Sequence, residues 1–294
     1  MGAGSNVIGS LWMIGAMAAF AVEDTLLKAV SQGMPVAQML ILFGLGGAGV
    51  FSAVILVRGE HLFPKEVLSK AMGIRAVFEV LGRLFYILAL ALTPLSATTV
   101  ILQATPIVVV GAAAVLFAEP VGWRRWTAIA IGLSGVLIIL RPGAEGFTPL
   151  SILAVLGMLG FAGRDLASRV APAALSALIL GLYGFLAVIL SGALYAFWEA
   201  VPFVWPDRNT AAGLIVAVGV GVVAYSCLMK AMRTGEVSAV TPFRYSRLLF
   251  GIGLGVLVFD ETLTAPMFFG SCLIVTSGLF ILVRGRSHQG RPNN

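Results

Sequence analysis

Eight charged side chains stand inside stretches of this sequence that are otherwise apolar: Glu23, Asp24, Glu79, Arg83, Arg164, Asp165, Arg244 and Arg247. Four are acidic and four basic. A charge at the centre of a membrane helix costs about 2.5–3.5 kcal/mol on insertion scales, so each must face a partner, water or a substrate. The equal count makes mutual pairing one reading and a polar cavity the other. Glu79 and Arg83 are four apart with the acid first, so they share a helix face and can pair directly; Tyr86 continues that face. That pair either satisfies itself or lines a cavity. Arg244 and Arg247, with Tyr245 between them, are three apart with no acid nearby in sequence. Their anion must come from Glu79, from Asp24, or from a substrate carboxylate, which guanidinium groups hold by paired hydrogen bonds. A substrate cavity is the expected setting. Asp24 and Asp165 each precede a base by four residues, Lys28 and Arg169, near a helix end, and are expected to form structural ion pairs within their own helices. Glu23 lacks such a partner; a buried carboxylate of this kind can carry a proton, which makes it the coupling candidate.

The elements that position these groups are membrane helices. Of 294 residues, 59% are hydrophobic and 11% charged, against about a quarter charged in soluble domains. Such a chain cannot cover itself with polar surface. About 20 apolar residues cross the hydrocarbon core, and ten segments qualify: 7–31, 35–57, 72–92, 96–118, 123–140, 150–170, 174–198, 210–232, 238–259 and 265–283. The fold class is an all-α integral membrane protein of ten transmembrane helices. The first apolar run has no basic leader and no cleavage site, so it is expected to stay as a helix. Apart from the four arginines named above, twelve Lys and Arg fall on one side, Arg75 among them, and three on the other: Lys28, Arg141 and Arg208. The positive-inside rule then places both termini in the cytoplasm. The five tryptophans fall near span ends, as an interfacial belt requires. The net charge of +6 therefore reports topology and not nucleic acid. Cys227 and Cys272 lie in apolar runs and His61 and His288 in polar ones, so no disulfide, metal site or cofactor is expected.

The chain also repeats itself. "LSATTVILQATPIVVVGAAAVLFAE" ends at Glu119 and "VSAVTPFRYSRLLFGIGLGVLVFDE" at Glu261. Aligning the two glutamates superposes Ser96 on Ser238 and Thr99 on Thr241. Nearly the same offset lays "FAVEDTLLK" over "FAGRDLASR", so Asp24 matches Asp165 and Glu23 matches Arg164. Residues 1–145 and 146–294 are then two copies of five spans each. Five is odd, so the second copy is expected upside down: an inverted repeat of the kind that encloses a substrate site and works by alternating access. Pro106 and Pro242 lie within spans and are expected to loosen their helices. "GIGLG", residues 251–255, is expected to be a helix contact surface.

Residues 86–140, and more weakly 224–282, resemble the EamA-type carriers of the drug/metabolite transporter superfamily. The small-residue turn, Pro106 set 13 residues before Glu119, and a glycine-bearing last helix carry the likeness. The second half departs from it, with Arg247-Leu248 opposite Thr105-Pro106. Within the family the chain most resembles exporters of aromatic amino acids (the YddG type). The resemblance implies a bacterial cytoplasmic (inner) membrane, multi-pass secondary transporter exporting small metabolites, amino acids first. Export of organic cations or drugs by the same fold is the alternative. Glu79, Arg83, Tyr86, Tyr225, Arg244, Tyr245 and Arg247 are the expected substrate residues; Tyr225 enters because the repeat places it opposite Arg83. The partners are a small-molecule substrate and the lipid bilayer, with no nucleic acid and no required oligomer.

An intramembrane enzyme is the non-transport rival. "GLSG", residues 132–135, matches a G-x-S-G of intramembrane serine proteases, but no span holds a histidine to activate the serine. Its repeat partner "VTSG", residues 275–278, suggests packing instead. Nucleotide-binding signatures are absent, so no ATP-driven pump lies within this chain. A receptor would not need a duplicated set of intramembrane charges.

Overall fold

A computed structural model describes residues 3–92, 101–119, 121–140, 149–259 and 264–287. They form ten helices of twelve residues or more and no strand: α1 (Ala3–Val30), α2 (Val36–Val57), α3 (Lys70–Leu92), α4 (Thr105–Leu116), α5 (Trp123–Leu140), α6 (Ile152–Val170), α7 (Ala177–Glu199), α8 (Arg208–Thr234), α9 (Ser246–Phe259) and α10 (Ala265–Ser287). Among the described residues, α1, α2, α6, α7 and α8 are long and apolar enough to cross a membrane. Helix α3 is 23 residues long but carries Arg75, Glu79 and Arg83.

Two of the spans expected from sequence are broken. The fourth begins its main helix only at Thr105, with Pro106 in the first turn, where a missing N–H costs nothing. The ninth runs as a short α-turn (Val237–Val240), a 3-10 segment (Thr241–Tyr245) holding Pro242, and then α9. Both prolines therefore mark helix breaks and not loosened helix interiors. Soluble-side ends are capped conventionally: the Ser176 hydroxyl accepts from the Ile179 N–H at 3.3 Å and the Asp207 carboxylate from the Thr210 N–H at 2.7 Å.

The main helix interfaces join the first five helices to the second five. Helix α1 packs along α8, α3 along α6, α2 along α7 and α5 along α10; smaller contacts put α1 against α9 and α4 against α6. Exchanging every helix for the one five places along carries this set of contacts into itself. A ring pair, Phe43–Phe185 at 5.2 Å, sits where α2 meets α7, with Phe51 and Tyr225 packed on Phe185.

Glycines set how closely these helices approach. Gly157, Gly160 and Gly163 line one side of α6 three residues apart, against Tyr86, Gly82 and Phe78 of α3. Helices α5 and α10 cross at Gly135 and Gly270, where a Cβ on Gly135 would lie 2.6 Å from the Gly270 carbonyl. Ser277 donates to the Ala128 carbonyl at 2.6 Å across the same crossing, while Ser134 bonds back to Ala130 of its own helix. The glycine-serine motifs thus serve packing. In the "GIGLG" stretch, among the described residues nothing lies within 4 Å of a Cβ at Gly251 or Gly253, so these two glycines mark no close helix approach.

Candidate functional site

Two charged clusters lie between the halves. The first is closed. Arg75 and Glu79 stand one turn apart on α3, and the glycine-lined approach of α6 brings Arg164, Asp165 and Ser168 against them. Arg75 is fully buried and donates through Nε to Ser168 Oγ (2.9 Å), and through Nη2 to the Leu180 carbonyl (2.8 Å) and Tyr225 Oη (2.6 Å); Glu79 Oε2 lies 3.4 Å away. Glu79 also accepts from Arg164 Nη1 at 3.1 Å and from the Tyr225 hydroxyl at 2.5 Å. Asp165 accepts from Arg164 Nε at 2.8 Å on one oxygen and from Arg244 on the other. The guanidinium groups of Arg75 and Arg164 and both carboxylates are thereby partnered out of water, the condition under which buried charges are tolerated, while Arg244 keeps a buried Nε with no partner among the described residues.

The second cluster is open. Arg247 clasps Asp24 of α1, with Nε 2.9 Å from Oδ2, and the two side chains are 38% and 51% exposed. The guanidinium of Arg247 lies over the Phe20 ring at 5.3 Å, and that of Arg83 over Phe161 at 5.9 Å. Tyr86 meets Phe161 edge-on at 5.7 Å. Glu23 is 4% exposed, and its Oε2 has no hydrogen-bond partner among the described residues; the same holds for Arg83 Nε.

Several expected pairings are replaced. Glu79 takes Arg75 and Arg164 as partners, while Arg83 turns to the Phe161 ring. Asp165 is held by Arg164 and Arg244 in place of Arg169, which donates to the Met232 carbonyl at 3.3 Å. Asp24 is held by Arg247; the Lys28 side chain lies outside the described residues. Arg244 and Arg247 thus find their anions in Asp165 and Asp24. Tyr225 is buried within the closed cluster. Tyr245 packs away from both clusters, with Val136 and Ile274 and against Gly132. Glu119 accepts from the N–H groups of Val237 and Ser238 at 3.1 and 3.0 Å, capping the short turn before α9, while Glu261 lies outside the described residues. Arg75 was counted with the topological charges, yet it anchors the closed cluster. Its signal was its spacing of four from Glu79 inside the third span.

An all-helical bundle this apolar, with charges paired between its two sets of five helices, is a multi-pass membrane protein. The profile of the EamA-like transporter family matches residues 7–141 and again 149–283. The chain belongs to that family, and it is a transporter. It is 24% identical over 238 residues to the S-adenosylmethionine uptake transporter of Rickettsia bellii, covering 79% of this chain and 80% of the relative. It is 24% identical over 292 residues to the riboflavin transporter of Rhizobium johnstonii, covering 97% and 94%. A solved protein crystal structure superposes with a TM-score of 0.78 at 20% identity, over 95% of this chain and 98% of its own, so the fold is shared.

Proposed function

We propose that this chain carries small metabolites with an α-amino-acid head across the bacterial cytoplasmic membrane, by alternating access of two inverted halves, residues 1–145 and 146–294. The observation that carries the reading is the Asp24–Arg247 pair: a half-exposed ion pair drawn from both halves, on helices that are otherwise apolar. Lipid does not host a charged pair at that exposure, so the pair borders a polar recess. The exchange symmetry of the helix contacts supports two equivalent halves, and an odd number of crossings per half turns the second one over. With Arg75 set aside as buried, eleven basic residues against three still favour cytoplasmic termini.

The substrate class rests on shared chemistry. Aromatic amino acids and S-adenosylmethionine both join an α-amino-acid head to a flat aromatic body. The rickettsial relative's name and the resemblance to aromatic amino acid exporters therefore meet in one class; riboflavin lacks that head. Arg83, Tyr86 and Arg247 are the lining residues, with Phe20 and Phe161 behind them. The direction of net flux is not built into such a site, because a recess opened alternately to each side carries solute down whichever gradient exists.

The test is counterflow into liposomes holding the purified chain, with L-tryptophan, S-adenosylmethionine, riboflavin and tetraphenylphosphonium, run with and without a proton gradient. Counterflow of tryptophan or S-adenosylmethionine is expected. No flux of any solute in the panel would sink the carrier reading. If Glu23 couples protons, Glu23→Gln abolishes gradient-driven accumulation.

A further inference from the structure

The two copies can be laid over each other, and they differ at the charged positions of the two clusters. The two family matches are 142 residues apart, so Glu79 answers to Gly221 and Arg83 to Tyr225; with the one-residue shift of the first helices, Glu23 answers to Arg164. In one arrangement the Glu79 carboxylate bridges the other two, accepting from Arg164 at 3.1 Å and from Tyr225 at 2.5 Å. In the other, a glycine stands where the bridging side chain was. The positions that answer to Arg164 and Tyr225 are Glu23 and Arg83, the two that keep an unpartnered polar atom in the open cluster. A Cβ on Gly221 would meet the Phe43 ring at 2.6 Å and lie 3.3 Å from Glu23 Oε2, so an apolar ring, and no hydrogen-bonding group, takes the side where the other copy has its carboxylate.

We propose that Glu23 and Arg83 bind the zwitterionic head of the substrate, ammonium on Glu23 Oε2 and carboxylate on Arg83 Nε. This rests on the carrier reading above and names the chemistry of its substrate. The charge balance selects a zwitterion. Asp24 and Arg247 already neutralise each other, so Glu23 and Arg83 remain as one acid and one base. A ligand bearing charge of one sign alone would satisfy one and leave the other uncompensated in a poorly hydrated setting, which is costly. A neutral amide edge would reach both, but charge-assisted bonds are roughly twice as strong as neutral ones. The rings of Phe161 and Tyr86 stand beside Arg83 and fit a flat substituent on that head.

The experiment begins with the unmodified protein, so that folding defects do not enter. Competition against labelled L-tryptophan, and separately against labelled S-adenosylmethionine, compares the zwitterion with its decarboxylated amine, and tryptophan also with indole-3-propionate. Each lost ion contact is expected to weaken binding roughly tenfold to a hundredfold. Arg83→Gln should then bind tryptophan and tryptamine within about threefold of each other, and Glu23→Gln should do the same for tryptophan and indole-3-propionate, a pattern that a misfolded variant does not produce. Tryptamine competing as well as tryptophan in the unmodified protein overturns the proposal. So does a Glu23→Gln variant that keeps the original selectivity and loses only its pH dependence, which hands Glu23 to proton coupling. Transport of riboflavin with no binding of either zwitterion defeats this assignment while leaving the carrier reading intact. No transport of any solute defeats the carrier reading itself.

Discussion

Replacing Glu79 by glutamine removes the carboxylate that pairs with Arg75 and one of the two that hold Arg164. The amide keeps the shape of the side chain but leaves three buried guanidinium groups facing Asp165 alone. Breaking one partner out of a buried ion pair costs about 3–5 kcal/mol, because the remaining charge is uncompensated. An unfolding entropy of about 2.1 cal/mol/K per residue over 294 residues comes to roughly 0.6 kcal/mol/K. Helices that stay wound in detergent have less entropy to gain, so the Tm should fall by at least about 5 °C. The assay is the loss of the monodisperse size-exclusion peak on heating in detergent, for the single variant and for Glu79→Gln with Arg75→Met. The second substitution removes the cation just orphaned, so the double variant should recover part of the loss, with a coupling of about 0.5–3 kcal/mol. A single variant melting within about 1 °C of the parent, or a double variant no better than the single, would refute the claim that Glu79 holds this cluster together.

The two arginines before and within α9 should separate stability from transport. Arg247→Ala opens an exposed pair worth about 0–1 kcal/mol and should shift the Tm by no more than about 2 °C while abolishing counterflow, whereas Arg244→Ala uncovers one oxygen of fully buried Asp165 and should lower the Tm clearly in the same heating assay. At the α3–α6 contact, Gly160→Ala sets a methyl against the Gly82 backbone and should cost about 1–3 kcal/mol; Gly251→Ala meets nothing and should be neutral or slightly stabilising, read as paired melting curves. Asp207 is held below the ordinary carboxylate range by the backbone N–H of Thr210. A depressed folded value means its cap stabilises at neutral pH and is lost as pH falls through that value, so Asp207→Asn should flatten the acid limb of the stability curve near α8 in hydrogen exchange.

Composition and length made the helices legible. The choice of ion partners was not legible. Glu79 has a base one turn away on either side, Arg75 and Arg83, and sequence spacing ranks the second pair higher. The bundle decides otherwise, because the Arg75 side of α3 faces Tyr225 and Ser168 while the Arg83 side faces the Phe161 ring. The same holds for Asp165, which takes Arg244 from another segment. Spacing of four finds partners on one helix, but a side chain turned into an interface meets groups from other helices that are nearer and drier. Arg75 itself was hidden by position: near a span end, a cation is ordinarily a topological charge.

The asymmetry of the two copies is concentrated on α9. Arg244 and Arg247 clasp Asp165 and Asp24, which are equivalent positions in the two halves, whereas the first copy has Leu102 and Thr105 at the matching places. Arg244 stands in the 3-10 segment and Arg247 in the first turn of α9, so the two clasps tie Asp165 of α6 and Asp24 of α1 to successive turns of one stretch of chain. In the alternating-access motion proposed above, the cheaper clasp releases first. The buried one loses several kcal/mol when broken and has Arg164 reinforcing it, while the exposed one loses about 0–1 kcal/mol. The opening layer is therefore the one that holds Asp24 and Arg247, which is also where Glu23 and Arg83 stand unpartnered.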